Sequence, residues 1–310
     1  MKKTLLVILA IIVGAPLAQG GASVDETRFA LREEFLRLIN RDRKQFGLQP
    51  VQLDPFASSV ADDYCRAQIR NGTNGHFTID GIAPYMRYSF AGGNDGMSEN
   101  AAAWSANYGF SDRALYEMVR RSEDAMMREV SPNDGHRHAI LDPYATHVGI
   151  GLAWEHGEFR LTQEFIRRYV DWIRPLPRKA SLTDHILCSG RPRSGYEVDA
   201  ITVHHEPMPQ PMAAVTANAI DSYGLPASRR QYSPRLRFGQ YYDDGTRGDF
   251  AVSRKDGSFA FMVPLPDGPG VYTVVVWVRP RGSLRSIAAS NVSIRVSDDG
   301  TNGSTIAASR

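Results

Sequence analysis

Between Val24 and Phe46 apolar residues recur at helical spacing, with Phe29, Phe35, Leu36, Leu38 and Ile39 on one stripe and Gly47 as a stop. Asp54-Pro55 opens a second helix, Asp as N-cap and Pro at the first helical position, and Phe56, Val60, Tyr64 and Cys65 share a face before Asn71-Gly72. A third helix begins at Ser111-Asp112 and carries Leu115, Met118, Val119, Met126 and Val130. The intervening stretch, His76 to Asn107, is Gly-rich and reads as irregular. After Pro143 the period drops to two. Two alternating runs, from Thr146 and from Phe159, flank a Glu-His-Gly-Glu turn and predict a hairpin. Helices and strands segregated in this way give an α+β layer structure.

Beyond Arg174-Pro-Leu-Pro-Arg the helical stripes vanish. Short β-rich runs follow at 258–263, 271–278 and 291–296, the first two joined by Asp267-Gly-Pro-Gly. That spacing predicts an immunoglobulin-like β-sandwich. The expected division is a leader over 1–20, an α+β unit over 24–174, a β-sandwich over 178–298 and a disordered tail over 299–310.

The leader rests on Met1-Lys2-Lys3, the short apolar core Leu5 to Val13 and the small-x-small site Ala18-Gln19-Gly20. It implies a secreted or periplasmic protein. The remaining chain has no apolar run long enough for a transmembrane segment. At 42% hydrophobic and 23% charged residues, the composition is that of a folded globular chain. Loss of Lys2 and Lys3 with the leader takes the net charge from +2 to zero, a poor basis for binding nucleic acid. Cys65 and Cys188 are the two cysteines. They either pair in an oxidising compartment or stay apart, with Cys65 packed as a small buried hydrophobe.

Four blocks in order across residues 28–168 resemble the CAP superfamily (SCP/PR-1-like proteins). Leu38-Ile-Asn-Arg-Asp-Arg-Lys-Gln-Phe-Gly-Leu-Gln-Pro-Val looks like its opening helix and turn. Gly75-His76-Phe-Thr, with Asp80-Gly81, Pro84 and Arg87, resembles its first histidine block. Ser98-Glu99-Asn100 stands where the family has Gly-Glu-Asn. Gly135-His136-Arg137, with Ile140-Leu141 and Thr146-His-Val-Gly-Ile-Gly, resembles the second histidine block and the strand after it; Gln163-x-Phe165 fits the closing strand. The resemblance implies an α-β-α sandwich and a ligand cleft in which His76, Glu99 and His136 converge.

Two imidazoles and a carboxylate can hold a divalent ion of the zinc type with one position open, so the metal set is His76, His136 and Glu99. The plainer arrangement is that both histidines bond to Glu99 without metal and organise the cleft. The family's second acidic residue has two candidates, Glu123 and Glu129, each also readable as a solvated helix face. His138 is read as surface and His147 as a hydrogen-bonded structural residue. Three functions follow. The favoured one is an extracellular binding module, not an enzyme, for a small molecule, lipid or cell-wall glycan. The second is a metal-dependent hydrolase with Glu99 as general base. The third is a structural cell-envelope protein.

Overall fold

The computed structural model describes residues 23–298; the expected leader over 1–20 and tail over 299–310 lie outside them. The first unit contains helices α1 (Val24–Gln45), α2 (Pro55–Asn71), α3 (Pro84–Ala91), α4 (Asp112–Met127) and α5 (Gly135–Ile140). Its strands are β1 (Gln52–Leu53), β2 (Gly96–Ser105), β3 (His147–Glu155) and β4 (Glu158–Arg167), ordered β1-β3-β4-β2 in one sheet.

Local chemistry sets the helix starts. Ser23 and Glu26 form a reciprocal capping box on α1, and the Asp54 carboxylate accepts from the Ala57 amide at 2.9 Å ahead of Pro55. Helices cover both faces of the sheet. On one face α1, α4 and α5 bring Leu31, Phe35, Leu115, Val119 and Ile140 onto Ile150, Leu152 and Leu161. On the other, α2 lies so close to β3 that a Cβ on Gly149 would stand 2.5 Å from Ala57, and one on Gly151 2.3 Å from Ala61. Glycine alone admits that approach.

Three expectations need correcting. The stretch taken as irregular holds α3 and the ten-residue strand β2. β2 is built from Ser, Glu, Asn and Ala, without the β-branched signature, and takes its form from unbroken pairing with β4. Phe29, Phe56 and Val130, which the periodicity puts on buried stripes, are 61%, 40% and 74% exposed. Phe29 precedes Leu31 by two residues, about 200° round the helix, and so faces solvent.

The third correction concerns the boundary. The second unit comprises β5 (Val170–Arg174), β6 (Lys179–Ser181), β7 (Leu187–Pro192), β8 (Tyr196–Glu206), α6 (Ala214–Asn218), β9 (Ser228–Tyr232), β10 (Ala251–Val252), β11 (Phe259–Met262), β12 (Gly270–Pro280), β13 (Ile287–Ala288) and β14 (Val292–Ser297). β5, assigned above to the first unit, pairs with β7 through Val170↔Pro192 and Trp172↔Gly190. Pro175 and Pro177 therefore lie inside the second unit, where the chain leaves one sheet for the other. One sheet runs β10-β11-β7-β5; the second runs β6-β14-β12-β8-β9, with β13 on β12 and β6 parallel to β14. Cys188, Phe259 and Phe261 from the first sheet share one apolar core with Ile201, Val274 and Ile294 from the second. Cys65 and Cys188 are both buried and free, Cys65 Sγ lying 3.3 Å from Thr162 Oγ1.

The two units are joined through α3 and the start of β2. Ser89 Oγ donates to the Asn291 carbonyl at 3.1 Å and accepts from the Ser293 amide at 3.1 Å. The Gly96 amide donates to the Ala289 carbonyl at 2.9 Å, and a Cβ there would stand 2.2 Å from the Ala288 carbonyl oxygen. Tyr85, Met86 and Met97 form one cluster with Val271 of β12, joined by Met208, Tyr223 and Leu225 from the β8–β9 connection.

Candidate functional site

His76 sits on a turn fixed from below by α2. The Gly75 carbonyl accepts from Tyr64 Oη at 2.7 Å and from Gln68 Nε2 at 2.8 Å. From α3, Arg87 Nη1 donates to the His76 carbonyl at 3.2 Å. These anchors bring His76 Nδ1 to 2.9 Å from Oε1 of Glu99 on β2. The other Glu99 oxygen accepts from Arg87, whose guanidinium also lies 3.4 Å from the centre of the Tyr64 ring. Glu99 is 4% and His76 8% exposed, so the Glu99–Arg87 ion pair and the histidine bonded to it are held away from water.

The site is also roofed. Between β8 and β9 the chain runs back over the first unit, with the Met212 amide on the Ile79 carbonyl at 2.7 Å and Asn218 bonded to Gly72 and Asn74. It places the Tyr223 ring 4.8 Å from the His76 ring, centre to centre, and the Tyr223 hydroxyl on the backbone amide of Glu99. Burial raises the Tyr223 phenol above its ordinary value, so it stays a neutral hydroxyl.

His136 belongs to a different cluster. Its Nδ1 bonds Glu129, whose carboxylate also accepts from the His136 amide at 3.0 Å and the Arg137 amide at 3.4 Å. Glu129 thereby satisfies free amides at the start of α5, the structural reason for an acidic residue ahead of a Pro-Asn-Asp-Gly turn. Asn100 then links His136 inward: Nδ2 donates to the His136 carbonyl at 3.0 Å and to Gln163 Oε1 at 2.8 Å, and Gln163 Nε2 donates to Glu123 at 2.8 Å. Glu99 and Asn100 are neighbours on β2 and point to opposite faces of the sheet. The structure thus joins His76 to Glu99 and leaves His136 with Glu129.

That division bears on the metal set. Both Glu99 oxygens already accept, one from the His76 ring and one from the cationic Arg87 guanidinium. Among the described residues no three His, Cys, Asp or Glu side chains are grouped to hold a metal ion. As arranged, the donors fit an ion pair and do not fit a zinc-type site.

Glu123 is fully buried, not on a solvated face, and desolvation pushes its carboxyl up to about 8. It lies four residues after Val119 and three before Met126, in the middle of the apolar stripe of α4, and that spacing was the available signal. Glu164, directly across from Glu99 in the β2–β4 ladder, is also fully buried, has no hydrogen-bond partner for either oxygen and is pushed up to about 8, chiefly by desolvation. His138 is 76% exposed at its side chain, and His147 Nδ1 bonds Thr146 Oγ1 at 2.9 Å, both as read from sequence.

Residues 36–165 match the CAP family, described as the cysteine-rich secretory protein family. No curated protein matches the chain. Among solved structures, an extracellular SCP-domain protein of Bacillus anthracis is 18% identical, with 48% of this chain and 45% of that one covered at a TM-score of 0.34. An outer surface protein of Borrelia burgdorferi is 18% identical over 45% of this chain and 93% of its own, at a TM-score of 0.37. The CAP domain of enterococcal PrgA is 18% identical over 47% and 63%, at 0.34. This chain therefore spans less than half of the Bacillus protein's length.

Proposed function

The chain belongs to the CAP family through residues 36–165, and on that premise we propose that it is an extracellular binding module and not an enzyme. One observation carries this reading: Glu99, the residue a hydrolase would use as base, has both oxygens occupied by His76 and Arg87 and lies buried beneath Tyr223. A general base needs a free lone pair aimed at a water or substrate proton. Here the carboxylate organises the packing of α2, α3 and β2 around it. The extracellular setting rests on the leader pattern from Met1 to Gly20.

The second unit is, in this reading, an immunoglobulin-like domain. Its strand orders support this, since β10-β11-β7-β5 and β14-β12-β8 reproduce the four- and three-strand sheets of that topology. A tyrosine corner supports it independently. Near the start of β12, Tyr272 Oη accepts from the Asp267 amide at 2.8 Å and donates to the Gly268 carbonyl at 3.0 Å.

The test is turnover. Wild-type protein and Glu99→Gln are assayed on peptide, ester and glycan panels, with and without added zinc. No hydrolysis depending on Glu99 is expected. Hydrolysis by wild type that vanishes in Glu99→Gln, with the fold intact by circular dichroism, would establish the metal-dependent hydrolase instead.

A further inference from the structure

The immunoglobulin-like unit has a cleft that the His76–Glu99 cluster does not touch. It has a volume of about 580 Å³ and opens at the end of the sandwich where β8 begins and β12 finishes, walled by the stretch after β9. Five arginines line it: Arg235, Arg237, Arg254, Arg279 and Arg281. They come from separate stretches of chain and converge through the fold.

The charge around the cleft is unbalanced. Its acidic lining residues are Glu197 and Asp199, and both are engaged by Arg279, at 2.7 Å and 2.9 Å. Arg235 reaches no carboxylate, lying 3.5 Å from the Asp249 carbonyl. Arg237, Arg254 and Arg281 have no ion-pair partner among the described residues. Elsewhere on the same unit Arg191, Arg229 and Arg230 are paired with Asp256, Asp267 and Asp249, and the exposed Arg174 and Arg285, which lack such a carboxylate among the described residues, stand apart from the cleft. A near-neutral molecule has gathered unpaired guanidinium groups around one concavity, where field lines focus.

We infer that this cleft binds a soluble anion carrying at least two phosphate groups. The lining contains arginine but no lysine, and the planar guanidinium fork matches phosphate oxygens two at a time. The cleft lies within the size range of small-ligand sites, roughly 300–1,000 Å³, and exceeds what a single phosphate fills. Gln231, Ser233 and Ser253 supply neutral hydrogen-bonding groups on the same walls.

A phosphate headgroup on a membrane offers the same chemistry, and Phe238, 91% exposed on the loop beside the arginines, would be the residue to insert there. The two sources are separable. The whole protein is titrated with tripolyphosphate by calorimetry at low and high salt, and in parallel sedimented with phosphatidylglycerol and phosphatidylcholine vesicles. Binding of tripolyphosphate that weakens with salt is expected, with a loss of about tenfold or more in Arg237→Gln/Arg281→Gln, which removes two guanidinium groups able to make charge-assisted hydrogen bonds. Arg229→Gln, outside the cleft, should bind as wild type does. Equal weakening in the control and the cleft variant, or no heat with tripolyphosphate, overturns the inference. So does binding confined to phosphatidylglycerol vesicles and lost in Phe238→Ser, because that result makes the loop a membrane contact.

Discussion

Two buried carboxyls, Glu123 and Glu164, give the molecule a pH signature. Both lie at 0% exposure and both are raised from the usual value near 4.5 to about 8 by desolvation. Around pH 4 each is protonated in the folded and unfolded chain alike, and neither costs stability. Between about 4.5 and 8 the unfolded chain releases these protons while the folded chain keeps them, so stability falls as pH rises, by at most roughly 1.4 kcal/mol per pH unit for each group. Above about 8 the loss levels off. Thermal melts from pH 5 to pH 8 should therefore show a declining midpoint in wild type and a flatter one in Glu123→Gln and Glu164→Gln. Glutamine keeps the shape and stays neutral, and at 123 it retains the contact with Gln163. Parallel slopes in wild type and both variants would show that these carboxyls ionise freely inside the fold.

At the level of elements, a single side chain fastens the end of α1. Arg43 is fully buried, and its guanidinium donates to the carbonyls of Gln49, Ile140, Asp142 and Ala145, at 2.9, 2.7, 2.9 and 3.4 Å. It ties α1 to the turn joining α5 to β3, which carries the second histidine block. Lysine offers one compact ammonium in place of a planar fork and leaves several of these carbonyls unpaired. Arg43→Lys should lower stability by about 2–4 kcal/mol, read from urea denaturation, from the summed cost of orphaned buried acceptors. A loss below about 0.5 kcal/mol would mean that the carbonyls find other donors.

Sequence pattern was informative for these elements only where one face alternates or recurs. The helices α1, α2 and α4 and the β3–β4 hairpin stand where their periodicity puts them. β2 was hidden because its buried positions include Glu99 and Asn100, residues without strand preference, and α3 because eight residues are too few for a stripe. The candidate site divides in the same way. The His76–Glu99 contact was legible through the two family blocks, and Arg87 was within the first of them. The Tyr223 roof was not, because it comes from a connection 124 positions along the chain from Glu99, and no local pattern encodes so distant a contact. His136 was assigned to the wrong neighbour set by a reading that could not see to which side of β2 each block packs.

For the molecule as a whole, the sequence expectation was two separable units cut at the prolines 175–177. The structure argues for one cooperative body. β5, on the first unit's side of the expected boundary, pairs across it with β7, and α3 is bonded into the second unit through Ser89, while Gly96 accepts no side chain because Ala288 lies against it. Arg295 of β14 stacks over the Phe90 ring at 3.7 Å, and the β8–β9 connection closes over the first unit's buried ion pair. Separating the units would expose the cluster around Tyr85, Met86 and Met97 and leave the Glu99–Arg87 pair without its roof. Calorimetry should therefore give one transition whose van't Hoff and calorimetric enthalpies agree. Limited proteolysis under native conditions should leave 175–177 uncut, because those prolines link β5 to β6, strands of the two sheets that close over the second unit's apolar core. Two resolved transitions, or a stable fragment ending near Trp172, would instead make the units independent. Tyr223→Ala discriminates further. If the roof couples the units, the variant's single transition should broaden or split, whereas a merely local packing defect lowers the midpoint and leaves the transition single.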